Sequence, residues 1–162
     1  MINFQLRHHV LPEDKTAIES ILRSSGAFRD EEVAVGLDLL NETLHPRPDT
    51  DYEWILAERD EAILGFACYG PVPMTDGTFD LYWIAVAPEA RGTAVASELD
   101  NAAEIEVQRR AGRWIIAETS STDPYAAARR FYLKQGYRLI ERIPDYYRDG
   151  DDRMTFGKRI IN

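Results

Sequence analysis

The sequence has little cysteine, no long apolar run and no excess of positive charge. No stretch of 18 apolar residues occurs, so a membrane-spanning helix is not expected. The segment MINFQLRHHV contains Arg7 but no apolar core of a secretory signal, so export is not expected either. The single cysteine, Cys68, lies in the apolar run ILGFACYG, which predicts a buried, reduced thiol in a cytoplasmic protein.

The charge balance disfavours one class of partner. The chain carries 19 Lys and Arg against 28 Asp and Glu, a formal net charge of −9. Nucleic-acid binding needs concentrated positive charge, so no nucleic-acid partner is predicted, whereas a cationic small substrate is compatible. The three histidines, at 8, 9 and 45, lack metal-ligand spacing, and we predict no metal site.

Length and composition predict a single domain over residues 1–162. The chain is 44% apolar and contains three Trp, eight Tyr and six Phe, which is enough for a packed core. It contains no internal repeat and no Gly/Ser-rich linker. These features favour one globular α/β domain.

Hydrophobic periodicity predicts two helices between the first strand and the central strands. Residues 2–8 (INFQLRH) alternate as a strand, a helix begins at Pro12, and a second helix ends at His45-Pro46. Two strands, YEWILAER and AILGFACYGPV, are then joined by a hairpin at 59–61, and TFDLYWIAV forms the next strand.

The second half predicts alternating helices and strands. A long helix runs from about Gly92 to Gly112, RWIIAET is a strand, and Asp123-Pro124 opens a helix that ends at Gly136. YRLIERI and RMTFGKRI follow as two strands around the polar loop PDYYRDGDD. The predicted order is β-α-α-β-β-β-α-β-α-β-β, an α/β fold with a mixed central sheet.

Two motifs within this order identify a family resemblance. RGTAVA (91–96) follows the fourth strand, and FYLKQGY (131–137) ends the last helix before two strands. The first resembles the acetyl-CoA loop, and the second the late aromatic-Tyr-x-x-x-Gly-aromatic motif, of the GNAT (GCN5-related N-acetyltransferase) superfamily. The resemblance covers essentially the whole chain and implies a GNAT fold with helices on both faces of the sheet.

The resemblance implies an acetyl-CoA site at the loop. Unpaired backbone N–H groups and the helix dipole at a helix N-terminus favour a pyrophosphate there. The N–H of Val86 is the expected donor to the thioester carbonyl or pantetheine, and Tyr125 stands where many members have an asparagine that contacts the pantetheine arm. The predicted cofactor-binding residues are Val86, Arg91, Gly92, Thr93, Ala94, Val95, Ala96, Ser97 and Tyr125.

Two positions of the loop depart from the family pattern. Ala94 replaces the glycine that the motif most requires, and Thr93 stands where a lysine is frequent. An alanine keeps its N–H donor but adds a Cβ, so we expect weaker cofactor binding and a tightening upon Ala94→Gly. The same departures support the alternative, a non-catalytic binding or regulatory module whose cofactor loop has eroded.

The resemblance also implies the catalytic residues. Tyr132 matches the family tyrosine that hydrogen-bonds or protonates the departing sulfur. The expected base is Asp80, near the start of the fourth strand, where alternation places Asp80, Tyr82, Ile84 and Val86 on one face. Glu118, at the end of the next strand, and a water chain remain alternative bases.

The acceptor is predicted only as a class. In this fold the helix 1–helix 2 connection (28–32) and the loop between the last two strands (145–152) usually border the acceptor. Both combine aromatic residues with carboxylates, which suits a protonated amine. The predicted activity is direct transfer of acetyl from acetyl-CoA to a primary amine of a small molecule, an amino acid or a protein. Dimers are common in this superfamily, so a homodimer is allowed, although nothing in the sequence fixes the oligomeric state.

Overall fold

The computed structural model describes residues 3–160 and shows the predicted order of helices and strands. The helices are α1 Lys15–Ser24, α2 Asp30–Leu44, α3 Val95–Arg109 and α4 Ala126–Lys134. The strands are β1 Gln5–Arg7, β2 Glu53–Arg59, β3 Ala62–Pro71, β4 Thr78–Val86, β5 Trp114–Ser120, β6 Arg138–Arg148 and β7 Asp151–Arg159. The seven strands are hydrogen-bonded in the order β1-β2-β3-β4-β5-β7-β6, so the predicted mixed sheet is confirmed.

The chain forms two compact units. The first comprises the residues up to Gly70 together with Trp83–Ala103, and the second comprises Pro71–Tyr82 together with the residues from Glu104 onward. Both β4 and α3 run from one unit into the other.

The first unit is built on an antiparallel meander. β1 pairs with β2, and β2 pairs with β3 around the predicted hairpin, where Asp60 and Glu61 both have positive φ. Strand β3 is buried along most of its length because its residues are apolar on both faces, and Cys68 is among them, as predicted.

Helices cover both faces of the strands in the first unit. Gly36 of α2 leaves room for the ring of Trp83, whereas Leu99 of α3 and Val86 lie against Gly65 of β3. Trp83 and Val86 are three residues apart on β4 and therefore point to opposite faces. The predicted helices on both faces are present.

The second unit combines parallel and antiparallel pairing. β4 pairs in parallel with β5 from Thr78↔Trp114 to Asp80↔Ile116, and β5 pairs antiparallel with β7. β6 pairs antiparallel with β7. A parallel pair needs a long crossover, and α3 supplies it.

Several predicted boundaries were wrong or incomplete. The first strand covers Gln5–Arg7, and Ile2 lies outside the described residues. The long helix begins at Val95 rather than near Gly92, because Gly92 has a φ of 70°, which is not helical. Residues 30–32 were predicted as a connection but form the first turn of α2, where their carboxylates favour the helix N-terminus.

The largest error concerns the loop predicted at 144–152. Most of this segment belongs to β6, which extends to Arg148, and only Asp149 and Gly150 form the turn. The carboxylate of Asp152 accepts a hydrogen bond from the N–H of Asp145 at 2.9 Å and pairs with Arg142, so polar residues here support strand pairing. Within residues 3–160, no helix has the length and apolar character that crossing a membrane requires.

Candidate active site

The predicted cofactor loop follows the end of β4 in the first unit. Pro88–Ala90 form a 3-10 turn, and Gly92 then adopts a φ of 70°. A Cβ at Gly92 would meet no atom within 4 Å, so glycine is required there by backbone conformation and not by space. The loop is therefore open around Gly92.

Ala94 is the N-cap of α3. Its carbonyl accepts the N–H of Glu98 at 2.9 Å, which is the first hydrogen bond of the helix. The N–H groups of Ala96 and Ser97 then precede the first amide that finds an intrahelical acceptor, so they lie at the positive end of the helix dipole. Backbone N–H donors at the positive end of a helix suit the negatively charged oxygens of a pyrophosphate.

The side chains of the loop are mostly engaged internally. Thr93 donates its hydroxyl to the carbonyl of Ala90 at 2.6 Å, and Ser97 donates to the carbonyl of Ala94 at 2.9 Å. The guanidinium of Arg91 donates to the carbonyl of Ser24 near the end of α1. A guanidinium has five N–H donors, so Arg91 retains donors for an anion.

Val86 ends β4 in close contact with β3. A Cβ at Gly65 would lie only 2.9 Å from both the carbonyl of Ala85 and the side chain of Val86. Glycine at 65 therefore allows the last residues of β4 to approach β3 closely. This contact fixes the backbone that ends in Val86 before the loop begins.

In the second unit, Asp80 and Glu118 share one face of the sheet. Asp80 lies opposite Ile116 on the last rung of the parallel ladder, and Glu118 is two residues beyond Ile116. Burial and the neighbouring Glu118 carboxylate raise the pKa of Asp80 to about 6 from its ordinary value of 3.8. A carboxyl with that pKa is half-ionised at about pH 6 and mostly ionised at pH 7, so it can accept a proton at neutral pH and release it again.

Tyr132 lies on the opposite face of the second unit. It is 7% exposed, and its ring is 5.4 Å from that of Tyr137 and 5.6 Å from that of Phe156. Phe156 pairs with Ala117, and both point away from the face of Glu118. The ring of Tyr132, which α4 carries, therefore packs on the face of these strands opposite to that of Asp80 and Glu118.

Tyr125 lies at the start of α4. It ends the 3-10 turn Asp123–Tyr125 and precedes the first residue of the helix. Arg129, one turn later, donates to the carbonyls of Ser120 and Thr122 at 2.6 and 2.8 Å and so anchors α4 to the end of β5.

Sequence reasoning missed two residues of β7 on the Asp80 side of the sheet. Thr155 lies opposite Glu118, and Arg153 lies opposite Ser120, so both share the face of Glu118. The alternation in RMTFG shows that Arg153 and Thr155 lie on the same face of their strand. Which residues of β5 they face depends on the register between β5 and β7, and the sequence does not reveal that register. We call Asp80, Glu118, Glu141, Arg153 and Thr155 the Asp80 face.

Aromatic rings border this face. The guanidinium of Arg153 lies 4.5 Å from the ring centre of Tyr146. Burial and the nearby Glu118 raise the pKa of the neighbouring Tyr147 above its ordinary value. Within the part of the chain that the structure describes, no group of three His, Cys, Asp or Glu side chains has the arrangement of a metal site.

The fold, with a loop that leads from β4 to the N-terminus of α3, is that of the GNAT acetyltransferases. A sequence profile of the acetyltransferase (GNAT) domain matches residues 50–139, more than half of the chain and part of both units. The chain belongs to this family. The predictions of the family and of the fold are confirmed.

Three similar proteins support this assignment. A protein assigned to the GNAT acetyltransferase family from Desulfovibrio desulfuricans is 35% identical, with a TM-score of 0.94 over 98% of this chain and 100% of that one. An uncharacterised N-acetyltransferase from Methanocaldococcus jannaschii is 30% identical over 108 residues, 66% of each chain and so just under two thirds of that relative. An aminoglycoside 6'-N-acetyltransferase complexed with coenzyme A is 19% identical over 98% of both chains, and its TM-score of 0.76 shows a shared fold.

Proposed function

We propose that the protein transfers an acetyl group from acetyl-CoA directly to a primary amine. The observation that carries the proposal is Asp80, a partly buried carboxyl at the end of the β4–β5 ladder, with a pKa of about 6. An amine is protonated near neutral pH and must lose a proton to become nucleophilic, so a base with this pKa is suited to the reaction.

The proposed cofactor site is the loop of the first unit with Val86 before it. The amides of residues 92–97 would hold the pyrophosphate, and Arg91 would add charge. Open space around Gly92 and the cap position of Ala94 support this assignment. The assignment of Tyr125 to the pantetheine arm is a prediction from the family resemblance.

Residues of the second unit would carry out the proton transfers. Acetyl-CoA, when bound, supplies the acetyl group as a thioester whose cleavage leaves a thiolate. Asp80 would take the proton that the amine loses as the C–N bond forms. The role of the Tyr132 hydroxyl, which is to donate a hydrogen bond or a proton to the departing sulfur, is a prediction from the family resemblance, because its ring packs on the other face of these strands. Glu118 is the alternative base, since it lies on the same face as Asp80, and a water chain is the third candidate.

The buried state of Cys68 supports direct transfer. Burial raises the pKa of the Cys68 thiol well above its ordinary value, which disfavours the thiolate that a covalent acetyl intermediate would need. A single GNAT domain, a cytoplasmic location and the oligomeric state remain predictions from the sequence.

Two measurements on the full chain test the proposal. Titration calorimetry with acetyl-CoA should show saturable binding, and a thiol-release assay should show coenzyme A production that depends on an added amine. Absence of binding at millimolar acetyl-CoA would refute the proposal that the protein is an acetyltransferase. Binding without thiol release for any amine of a broad panel would favour the non-catalytic module that Ala94 and Thr93 suggest.

A further inference from the structure

Thr155 presents a buried hydroxyl without a partner in the middle of the Asp80 face. It lies opposite Glu118 on β5 and opposite Glu141 on β6, so a carboxylate flanks it on each side. The residue is 8% exposed, and Oγ1 makes no hydrogen bond within residues 3–160. A buried hydroxyl that has lost its water and gained no partner costs stability.

Arg153 adds a second unpartnered group two residues away on the same face. One terminal nitrogen donates to Glu141 at 2.9 Å, and the other lies 3.7 Å from Glu118. The Nε–H is buried and has no acceptor among the described residues. Guanidinium N–H groups only donate hydrogen bonds, so Nε needs an acceptor such as a carbonyl or carboxylate oxygen. An ammonium group cannot serve, because it has no acceptor atom.

The segment next to these groups is irregular. The register between β6 and β7 shifts between Ile143 and Arg148, and Asp145 has a φ of 51°. Tyr146, which lies on Arg153, belongs to this stretch. Tyr146 and Tyr147 therefore lie in a stretch where the regular pairing of β6 with β7 is interrupted.

We propose that Thr155 and Arg153 bind an oxygen of the acceptor, and that the acceptor is an amine with a carbonyl or carboxylate close to its nitrogen. This inference rests on the proposed function. Glu118 and Asp80 attract the amine, and Thr155 lies directly across from Glu118, about 5 Å away in an antiparallel pair. Amino acids and peptide N-termini place an amine and an oxygen within that span, whereas simple amines and diamines do not supply the oxygen.

Three matched acceptors test the substrate class. L-alaninamide, L-alanine and ethylamine share a primary amine but differ in the carbonyl group. We expect kcat/KM for alaninamide or alanine, calculated per concentration of unprotonated amine because the three amines differ in basicity, to exceed that for ethylamine by about tenfold or more, the effect of one good hydrogen bond. A preference for alaninamide would indicate that the natural acceptor is a peptide N-terminus, and a preference for alanine would indicate a free amino acid.

Two variants at one position test the site. Thr155→Val keeps the shape but removes the hydroxyl, and Thr155→Ser keeps the hydroxyl. We expect the valine variant to raise KM for the preferred acceptor about tenfold and to keep or raise Tm, with acetyl-CoA affinity unchanged. The serine variant should retain a near wild-type KM.

The opposite results would overturn the inference. A lower Tm with unchanged KM in Thr155→Val would make the hydroxyl structural, and equal use of ethylamine or putrescine would reject the substrate class. Calorimetric titration of L-alaninamide into the full chain does not depend on turnover. Binding that Thr155→Val abolishes would uphold the site even if no amine were acetylated, and absence of binding to the wild-type chain would reject it.

Discussion

At the scale of single residues, the carboxyl proposed as the base, Asp80, also affects the stability of the chain. Its carboxyl is partly buried beside a second carboxylate, and this arrangement raises its pKa to about 6. The folded chain therefore holds the proton more tightly than the unfolded chain does. The free energy of unfolding consequently falls as pH rises from about 4 to about 6, and the loss persists at higher pH.

Replacement of Asp80 by Asn should separate these two effects. If Asp80 is the base, the wild-type rate rises with pH through about 6, and Asp80→Asn should lose most activity together with that limb of the profile. The variant should also be about 1 kcal/mol more stable at pH 7, a value reduced for solvent screening of a partly exposed group. Stopped assays from pH 5 to 8 and urea denaturation measure both. An acidic limb that survives in the variant would assign the base to Glu118 or to water, and Glu118→Gln distinguishes these two.

Tyr132 is the second residue whose role can be isolated. Because Tyr132 is buried against Tyr137 and Phe156, Tyr132→Phe keeps the ring packing and removes only the hydroxyl. We expect turnover to fall roughly 10- to 100-fold, with the Kd for acetyl-CoA changed less than about threefold. Tyr137→Phe is the matched control, since it removes a hydroxyl from the neighbouring buried ring and should leave turnover unchanged. Wild-type turnover in Tyr132→Phe would remove this hydroxyl from the mechanism.

At the scale of elements, the position where α3 begins determines the backbone geometry of the proposed cofactor loop. The sequence pattern placed the helix start near Gly92, whereas Gly92 is in the left-handed region and Ala94 is the N-cap. Alanine is a poor N-cap and glycine a better one. The family glycine that Ala94 replaces would therefore favour both the cap and the approach of an anion.

Substitutions at 94 and 92 should have opposite effects. Ala94→Gly should tighten acetyl-CoA binding several-fold, because it removes an exposed Cβ at the helix start. Gly92→Ala should weaken binding and cost about 1 kcal/mol, because alanine is strained at a φ of 70° even though space is free. Calorimetry with acetyl-CoA and thermal unfolding measure the pair. If Ala94→Gly leaves affinity unchanged or weaker, the loop does not approach the pyrophosphate as proposed.

The end of β6 shows why some elements escape sequence analysis. The polar segment at 144–152 carries Asp, Arg and Gly and no apolar alternation, which is typical of a loop. The structure nevertheless extends β6 to Arg148, because the partner strand supplies hydrogen bonds and Asp152 binds Arg142 and the N–H of Asp145. Cross-strand partners of this kind are far apart in sequence, so local patterns do not reveal them.

At the scale of the whole molecule, acetyl-CoA should stabilise the chain by mass action. A ligand at 100 times its Kd adds about 2.7 kcal/mol to the free energy of unfolding. For a chain of 162 residues this corresponds to a rise in Tm of roughly 5–10 °C. Thermal unfolding over a series of acetyl-CoA concentrations, with sodium acetate as the control, measures the effect. A Tm that does not depend on acetyl-CoA concentration would contradict binding to the folded chain.

The sequence by itself determined the family, the order of elements and the candidates Tyr132, Asp80 and the loop 91–97. These features depend on local patterns, since hydrophobic periodicity, glycines at turns and helix ends, and short motifs each extend over only a few residues. The tertiary structure alone decided which side chains share a face of the sheet. Pairing of β5 with β7 places Glu118 opposite Thr155 across 37 residues of chain, and a shift of one residue in that register would send Thr155 to the other face.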